Sequence, residues 1–526
     1  MRRARVWAWV VTIVVVCLGC GRLYGAPAGK GGGRPATRPA KKAPAKLTPA
    51  QRMARARQIM GLNREAMSHF KAGRLGRCKA LLAKILEIDP DSQLAHYNLA
   101  CLYSVQKKPA EAVRELNLAL DNGYSEFHHM ERDPDLEPLR DLPAYKKILA
   151  RKGEIQRARA TKILASLKKR FGERFICEID HENKLIFATD TDRHTMDELK
   201  ASLLQYAAAQ WKTLFDNGFD EYVTVVIPRD AKNIPAGIGG VYDPHAKQLT
   251  ARSIGMVLTH EFTHALHFAD QEARGQRHPI WIAEGLATLF ESSELVDGAV
   301  KPIPNQRSNA MKYLIRRKRN IPWSEFLALS HGDYMRRAMA AYPQGRYILM
   351  YLYEKGLLKA WYDAYTAGYD KDKTGAKAIA QVVGKPLDKV EADWIKWVGK
   401  LKGVPRGLAP KQAYIGVQLE RQFDGLLIVR VVEGSAADKA GLRADDVIVK
   451  LDSRRMVDVP ELLRTVSSHK VGDKVIIEYR RSGKYATVTA TLGAVPSRLV
   501  PAPMPRPTPK TRPAPKTRPA PKKKAA

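Results

Sequence analysis

The chain has 526 residues, with 89 Lys and Arg against 54 Asp and Glu, a formal net charge of +35. A single core rarely grows past about 250–300 residues, so this length excludes a one-domain protein. Residues 1–46 carry ten Lys or Arg and no acid, and residues 501–526 carry eight and no acid, so half of the excess charge sits on two terminal segments and no nucleic-acid partner is expected.

At the amino terminus Arg2, Arg3 and Arg5 precede an apolar run over residues 6–18 and then small residues, which reads as a secretory signal over residues 1–26. The run is too short for a usual membrane span. Export to the periplasm, the cell envelope or the outside is therefore expected. Cleavage after Ala26 and lipid anchoring at Cys20 both stay open, although Cys20 lacks the usual Leu three positions before it. Removing the signal leaves Cys78, Cys101 and Cys177, too few and too scattered for a disulfide framework. Residues 27–50 and 496–526 are rich in Pro, Ala, Lys and Arg and cannot bury a core. They read as disordered, solvated linkers, with anionic envelope components as the alternative partners of a binding arm.

From about residue 62 to residue 122 the chain repeats with a period of 34: Ala112, Leu116 and Ala119 fall opposite Cys78, Leu82 and Ile85, and Pro90 closes the first copy. The pattern resembles tetratricopeptide repeats, whose helix pairs would pack through Leu99, Ala100, Tyr103, Ala112, Leu116 and Ala119. The segment Asp133-Pro134-Asp135-Leu136-Glu137-Pro138-Leu139-Arg140 resembles the end of such an array. The resemblance implies an α-helical module over residues 51–150, acting as a groove for a protein partner or as a spacer. Two copies supply little core alone, so they are expected to lean on a helix near residues 142–170.

Strand-like runs follow at residues 175–179, 185–188 and 222–227, with a helix-like stretch over 196–215 and a hairpin expected between Gly239-Gly240-Val241-Tyr242 and Gln248-Leu249-Thr250-Ala251. The chemistry sits in the next element, Thr259-His260-Glu261-Phe262-Thr263-His264, which reads H-E-x-x-H. On a helix, positions four apart lie about 40° apart in azimuth and about 6 Å along the axis, so His260 and His264 can aim at one ion. Glu261 lies one residue round, placed to take a proton from a water at that ion. Ile254, Val257, Leu258, Phe262, Leu266 and Phe268 make the segment mostly apolar, which suits a buried helix.

A catalytic zinc usually has three protein ligands and a water. Asp270 stands where metzincin-like enzymes carry the third, but that arrangement needs Gly where this chain has His267, so that the helix ends and the chain turns back. Glu284, 20 positions after His264 on a second apolar segment that follows Pro279, is preferred. The spaced pair H-E-F-T-H and W-I-A-E-G-L-A resembles the gluzincin zinc metallopeptidases, most closely the peptidase MA-like family, over residues 160–402. That resemblance implies an α+β thermolysin-like core with one zinc ion held by His260, His264 and Glu284, and Glu261 as general base. It also implies an oxyanion-stabilising Tyr or His, for which Tyr342 is the nearest match and Tyr347, His331 and plain packing compete. An extended substrate would add to a strand beside the zinc helix, a strand the sequence does not identify.

Residues 411–495 change to short β-branched strands separated by Gly and Asp. Tyr414-Ile415-Gly416-Val417, Val431-Val432-Glu433-Gly434-Ser435-Ala436-Ala437, Ala440-Gly441-Leu442 and Asp445-Asp446-Val447-Ile448 resemble a PDZ domain of the kind attached to bacterial envelope proteases. The resemblance implies that Tyr414, Ile415, Gly416 and Val417 hold a peptide's terminal carboxylate while the peptide pairs with the sheet edge; a rigid appendage is the alternative. The whole reads as an exported multidomain peptidase with peptide or protein substrates. The competing class is an envelope scaffold whose zinc site is structural or silent, against which an intact Glu261 argues.

Overall fold

The computed structural model describes residues 48–229, 239–404, 407 and 411–496. The signal-like segment, the first linker up to residue 47 and the tail from residue 497 lie outside the described residues. The chain divides into two compact units, one ending at Val404 and one beginning at Pro405.

The first unit opens with helix α1 (Pro49–Lys71), whose start is set by a capping box: Thr48 Oγ1 accepts from the Gln51 N–H at 3.2 Å and Gln51 Oε1 accepts from the Thr48 N–H at 2.8 Å. Helix α2 (Leu75–Ile88) folds back on α1, and α3 (Gln93–Val105) with α4 (Pro109–Asp121) makes a second pair. The residues at the 34-residue spacing, Cys78, Leu82 and Ile85 with Ala112, Leu116 and Ala119, are all buried in one core. Helix α5 (Phe127–Arg132) and a 3-10 turn (Pro134–Leu139) close it with Phe127, Leu136 and Leu139, while Asp133 accepts from the Tyr97 hydroxyl at 2.7 Å.

The one helix expected near residues 142–170 is two, α6 (Pro143–Ala150) and α7 (Lys152–Phe171), meeting at Arg151. Between them they serve two cores, with Ile155 in the first turn of α7 still packed on the helical one. Tyr145 and Ile148 of α6 join the helical core, whereas Ala160 and Leu167 of α7 pack on Phe175, Ile186, Ala188, Tyr222 and Val226.

The strands β1 (Ile176–Asp180), β2 (Leu185–Thr189), β3 (Val223–Ile227), β4 (Gly240–Asp243) and β5 (Gln248–Ala251) form one sheet in the order β1-β2-β3-β5-β4, with α8 (Arg193–Thr213) crossing over between β2 and β3. Strands β2, β3 and β5 run parallel, and β1 and β4 are antiparallel edges. Every residue of β2 and β3 is buried, as their near-continuous apolar runs require. The expected hairpin is present as β4 and β5, and helix α9 (Met256–Arg274) lies against both.

Helix α9 starts after Gly255 and ends at Gly275, which sits in the left-handed region at φ +65°. Helix α10 (Ile280–Phe290) follows Pro279, then the hairpin β6 (Ser293–Val296) and β7 (Ala299–Pro302). Helices α11 (Arg307–Arg316), α12 (Trp323–Phe326), α13 (His331–Arg336), α14 (Ala338–Glu354), α15 (Leu358–Ala367), α16 (Ala376–Val383) and α17 (Leu387–Lys400) complete the unit. Gly285 explains the tight seat of α10 on α14: a Cβ there would stand 2.9 Å from Leu349 Cδ1 and 3.4 Å from the Gly345 carbonyl oxygen. A mid-helix Gly costs about 1 kcal/mol relative to Ala, offset here by the close approach of two buried helices.

The second unit holds β8 (Ala413–Tyr414), β9 (Val417–Arg421), β10 (Leu426–Val431), α18 (Ala436–Lys439), β11 (Val447–Leu451), β12 (Arg454–Arg455), α19 (Val459–Ser467), β13 (Lys474–Arg481), β14 (Lys484–Thr491) and β15 (Gly493–Ala494). Its main sheet runs β14-β13-β11-β10-β9 with β12 on β11, and β15 pairs with β8. The core includes Ile415, Leu426, Ile428, Ile448, Leu451, Leu462, Val466 and Ile477. Two buried carboxylates are each clasped by an arginine fork, Asp424 by Arg480 at 2.7 and 3.1 Å and Asp446 by Arg481 at 2.6 and 2.7 Å. No helix among the described residues is long and apolar enough to cross a membrane.

Candidate metal centre and peptide-binding loop

Two helices meet at the candidate centre. His260 and His264 project from the first half of α9, and Glu284 projects from the middle of α10. The three ligand atoms converge: His260 Nε2 and His264 Nε2 are 3.2 Å apart, and Glu284 Oε2 lies 3.4 Å from the first and 3.7 Å from the second. A tetrahedral zinc with bonds of 2.0–2.2 Å has ligand-to-ligand edges of about 3.3–3.6 Å. Glu284 Oε2 is also buried with no partner of hydrogen-bond geometry. A donor triangle of this size around an unsatisfied carboxylate oxygen fits a zinc ion.

The electrostatics ask for a cation as well. Burial works against charging His260, yet Glu284 and Glu291 outweigh it and raise the imidazole to about 10. Burial likewise opposes ionising Glu284, but the facing His264 and His260 hold its carboxyl well below the usual range. Glu291 is held down to about 2, burial being outweighed by His260 and Arg307.

Glu261 is on α9 but off the ligand triangle. It is buried, which raises its carboxyl pKa against the pull of His264 and His260. The β4 edge passes so close that a Cβ on Gly240 would stand 2.7 Å from Glu261 Cγ and 3.0 Å from its Oε1. Only Gly leaves the carboxylate room there, so the strand that the sequence does not identify beside the helix is β4.

Asp270, the rejected ligand, is fully used elsewhere. Its Oδ1 accepts from the Asp216 and Asn217 backbone N–H groups at 3.1 and 3.0 Å and from Asn217 Nδ2 at 2.8 Å. Its Oδ2 accepts from Arg274 Nε and the Tyr362 hydroxyl, each at 2.8 Å. Helix α9 runs on through buried His267, whose Nε2 meets His278 Nδ1 at 2.7 Å.

Of the competing aromatics and His331, Tyr342 is the one set beside Glu284. Burial first, then the negative charge of Glu284, raises the phenol's pKa. Its ring lies edge-on to Tyr334 at 5.4 Å. Tyr347 is buried in packing against Trp397, and His331 is exposed at the start of α13.

Two residues that the sequence reading passes over complete the centre. Glu291 Oε2 meets His260 Nδ1 at 3.1 Å, and Arg307 Nε meets Glu291 Oε1 at 2.8 Å. A signal existed for Glu291: it stands seven positions after Glu284, two helical turns on, where a helix returns to the same face. Arg307, beyond a hairpin, left none.

In the second unit residues 414–417 join β8 to β9. The Ile415 carbonyl accepts from Ala437 N–H and the Gly416 carbonyl from Val432 N–H, both at 2.8 Å. Each trans peptide then turns its N–H the opposite way. Val417 and Val431 form a non-hydrogen-bonded pair, so the main-chain groups of Val417 face the open edge of the sheet. Gly416 has φ +94°, and a Cβ on it would collide with Ser435. Helix α19 lies along β8 and β9, which makes a groove beside that edge.

Residues 413–492 match the PDZ domain family. A probable periplasmic serine endoprotease, DegP-like, of Chlamydia muridarum is 35% identical over 80 residues, 15% of this chain and 16% of that protein. The serine protease Do-like HtrA of Lactobacillus helveticus is 36% identical over 85 residues, 16% of this chain and 19% of that protein. The chain thus spans less than a fifth of these relatives. Among solved structures, an aminopeptidase N family protein from Idiomarina loihiensis covers 61% of this chain and 66% of its own at 15% identity and a TM-score of 0.29, too slight a likeness to carry a statement about this chain. Residues 413–492 are therefore a PDZ domain, related to those of HtrA-type proteases.

Proposed function

We propose that this chain is an exported zinc metallopeptidase of the gluzincin type, with tetratricopeptide-like helix pairs and a PDZ domain that bind substrate or partner. One observation carries the reading: His260, His264 and Glu284 present three donor atoms within 3.2–3.7 Å of one another, with the Glu261 carboxylate beside them and outside the triangle. A zinc ion held there would supply a Lewis acid and acidify a water. Glu261 takes the proton of the attacking water and returns it to the leaving amine, and its raised pKa brings it closer to the range where it can do both. Edge strand β4 pairs with an extended peptide and brings the scissile carbonyl past Glu261. Tyr342 donates its hydroxyl hydrogen bond to the oxyanion. Export rests on the signal-like residues 1–26 and accords with a DegP-like relative described as periplasmic.

The test is metal analysis of the purified protein with turnover of a generic peptide pool, before and after chelation. About one zinc per chain, activity lost to chelator and regained with zinc, is expected. Zinc-loaded protein that hydrolyses nothing sinks the reading.

The PDZ groove is assigned to free carboxyl-terminal peptides because Gly416 and Val417 turn main-chain N–H groups outward at the head of β9. Hydrogen bonds to a charged group contribute about 1.5–3 kcal/mol, so amidating the peptide should weaken binding about 10- to 100-fold in a titration. Equal affinity for both forms would favour a rigid appendage.

A further inference from the structure

We propose that Glu291 and Arg307 are the positioning pair of the metal centre: Glu291 fixes the tautomer and ring angle of His260, and Arg307 locks Glu291 while holding the Tyr342 ring. This rests on the zinc reading above and adds two residues from outside the H-E-x-x-H motif.

An ionised carboxylate can only accept, so at 3.1 Å from Glu291 Oε2 the His260 Nδ1 must carry the proton. Nε2 is then the nitrogen turned toward Glu284 Oε2 and His264 Nε2, where a metal would take the place of a second proton. Glu291 is itself held from several sides. Arg307 grips it through Nε at 2.8 Å to Oε1 and Nη2 at 3.3 Å to Oε2, and Asn305 Nδ2 adds a contact at 3.4 Å. The backbone around it is pinned by fully buried Arg346, which donates to the Leu289 carbonyl at 2.9 Å and the Ile303 carbonyl at 2.6 Å. The Arg307 guanidinium also stands 5.5 Å from the Tyr342 ring centroid, a cation over the ring of the candidate oxyanion donor. One ion pair thus touches a metal ligand on one side and the candidate oxyanion donor on the other.

The experiment measures zinc affinity by chelator competition, melting of the metal-free protein, and steady-state kinetics, all on the full chain. Glu291→Ala should weaken zinc binding about 10- to 100-fold, and Glu291→Gln, whose amide oxygen still accepts from Nδ1, should recover part of that loss. Arg307→Ala should lower kcat more than KM, and should lower it little further in a Tyr342→Phe background, since both changes remove one interaction. Should Glu291→Ala fail to fold, Glu291→Asp, which keeps the charge and withdraws it from His260, takes its place. Zinc affinity within twofold of wild type in the folded Glu291 variant overturns the proposal. So does independent, multiplying loss of kcat in the Arg307→Ala, Tyr342→Phe double variant. A wild-type protein that binds no zinc would remove the metallopeptidase reading itself, an outcome visible before any variant is made.

Discussion

Glu261→Gln is expected to keep its zinc and its melting temperature while turnover of a peptide pool falls about 10²- to 10⁴-fold, the usual worth of a general base. The amide has nearly the carboxylate's size, so the pocket under Gly240 stays filled. What it loses is the capacity to take a proton. His264→Ala is the control: it removes a ligand and should cost both zinc and activity. A scaffold with a structural zinc would behave otherwise, since Glu261→Gln would change nothing measurable and His264→Ala would mainly lower the melting temperature. Turnover of Glu261→Gln equal to wild type would end the peptidase assignment for this centre.

The second large effect separates the two acids that compete for the third ligand position. Glu284→Ala should lose zinc, because one corner of the donor triangle disappears. Asp270→Ala should hold zinc and lose stability instead, by roughly 1–3 kcal/mol, because it removes the buried acceptor of the Tyr362 hydroxyl, the Asp216 and Asn217 N–H groups and one of the two carboxylates that Arg274 meets. Zinc content and thermal melting of the two variants decide it. If Asp270→Ala loses metal and Glu284→Ala keeps it, the ligand set is wrong.

Much of the architecture was legible in the chain because it follows from short-range periodicity. The spacing of His260 and His264 places both rings on one helical face whatever surrounds them. Alternation and turn residues outlined β1 to β5 closely, and the 34-residue repeat marked which side chains of α2 and α4 share a core. The PDZ segment was recognisable because its motifs lie close together in sequence.

What the sequence by itself determined is local: a helix carrying two imidazoles and a carboxylate at the H-E-x-x-H spacing, a second helix with a carboxylate, and a PDZ segment. Only the tertiary structure decided which acid meets the imidazoles, which strand runs under Glu261, which aromatic faces Glu284, and that Arg307 closes on Glu291. Those outcomes depend on how α9, α10, α14 and β4 approach one another. The approach is set by close packing at Gly240, Gly285 and Gly345, where the absence of a side chain is what brings the elements together. A glycine in a sequence announces that freedom but not the partner that fills the space, so the long-range half of the site was written in packing and not in the pattern.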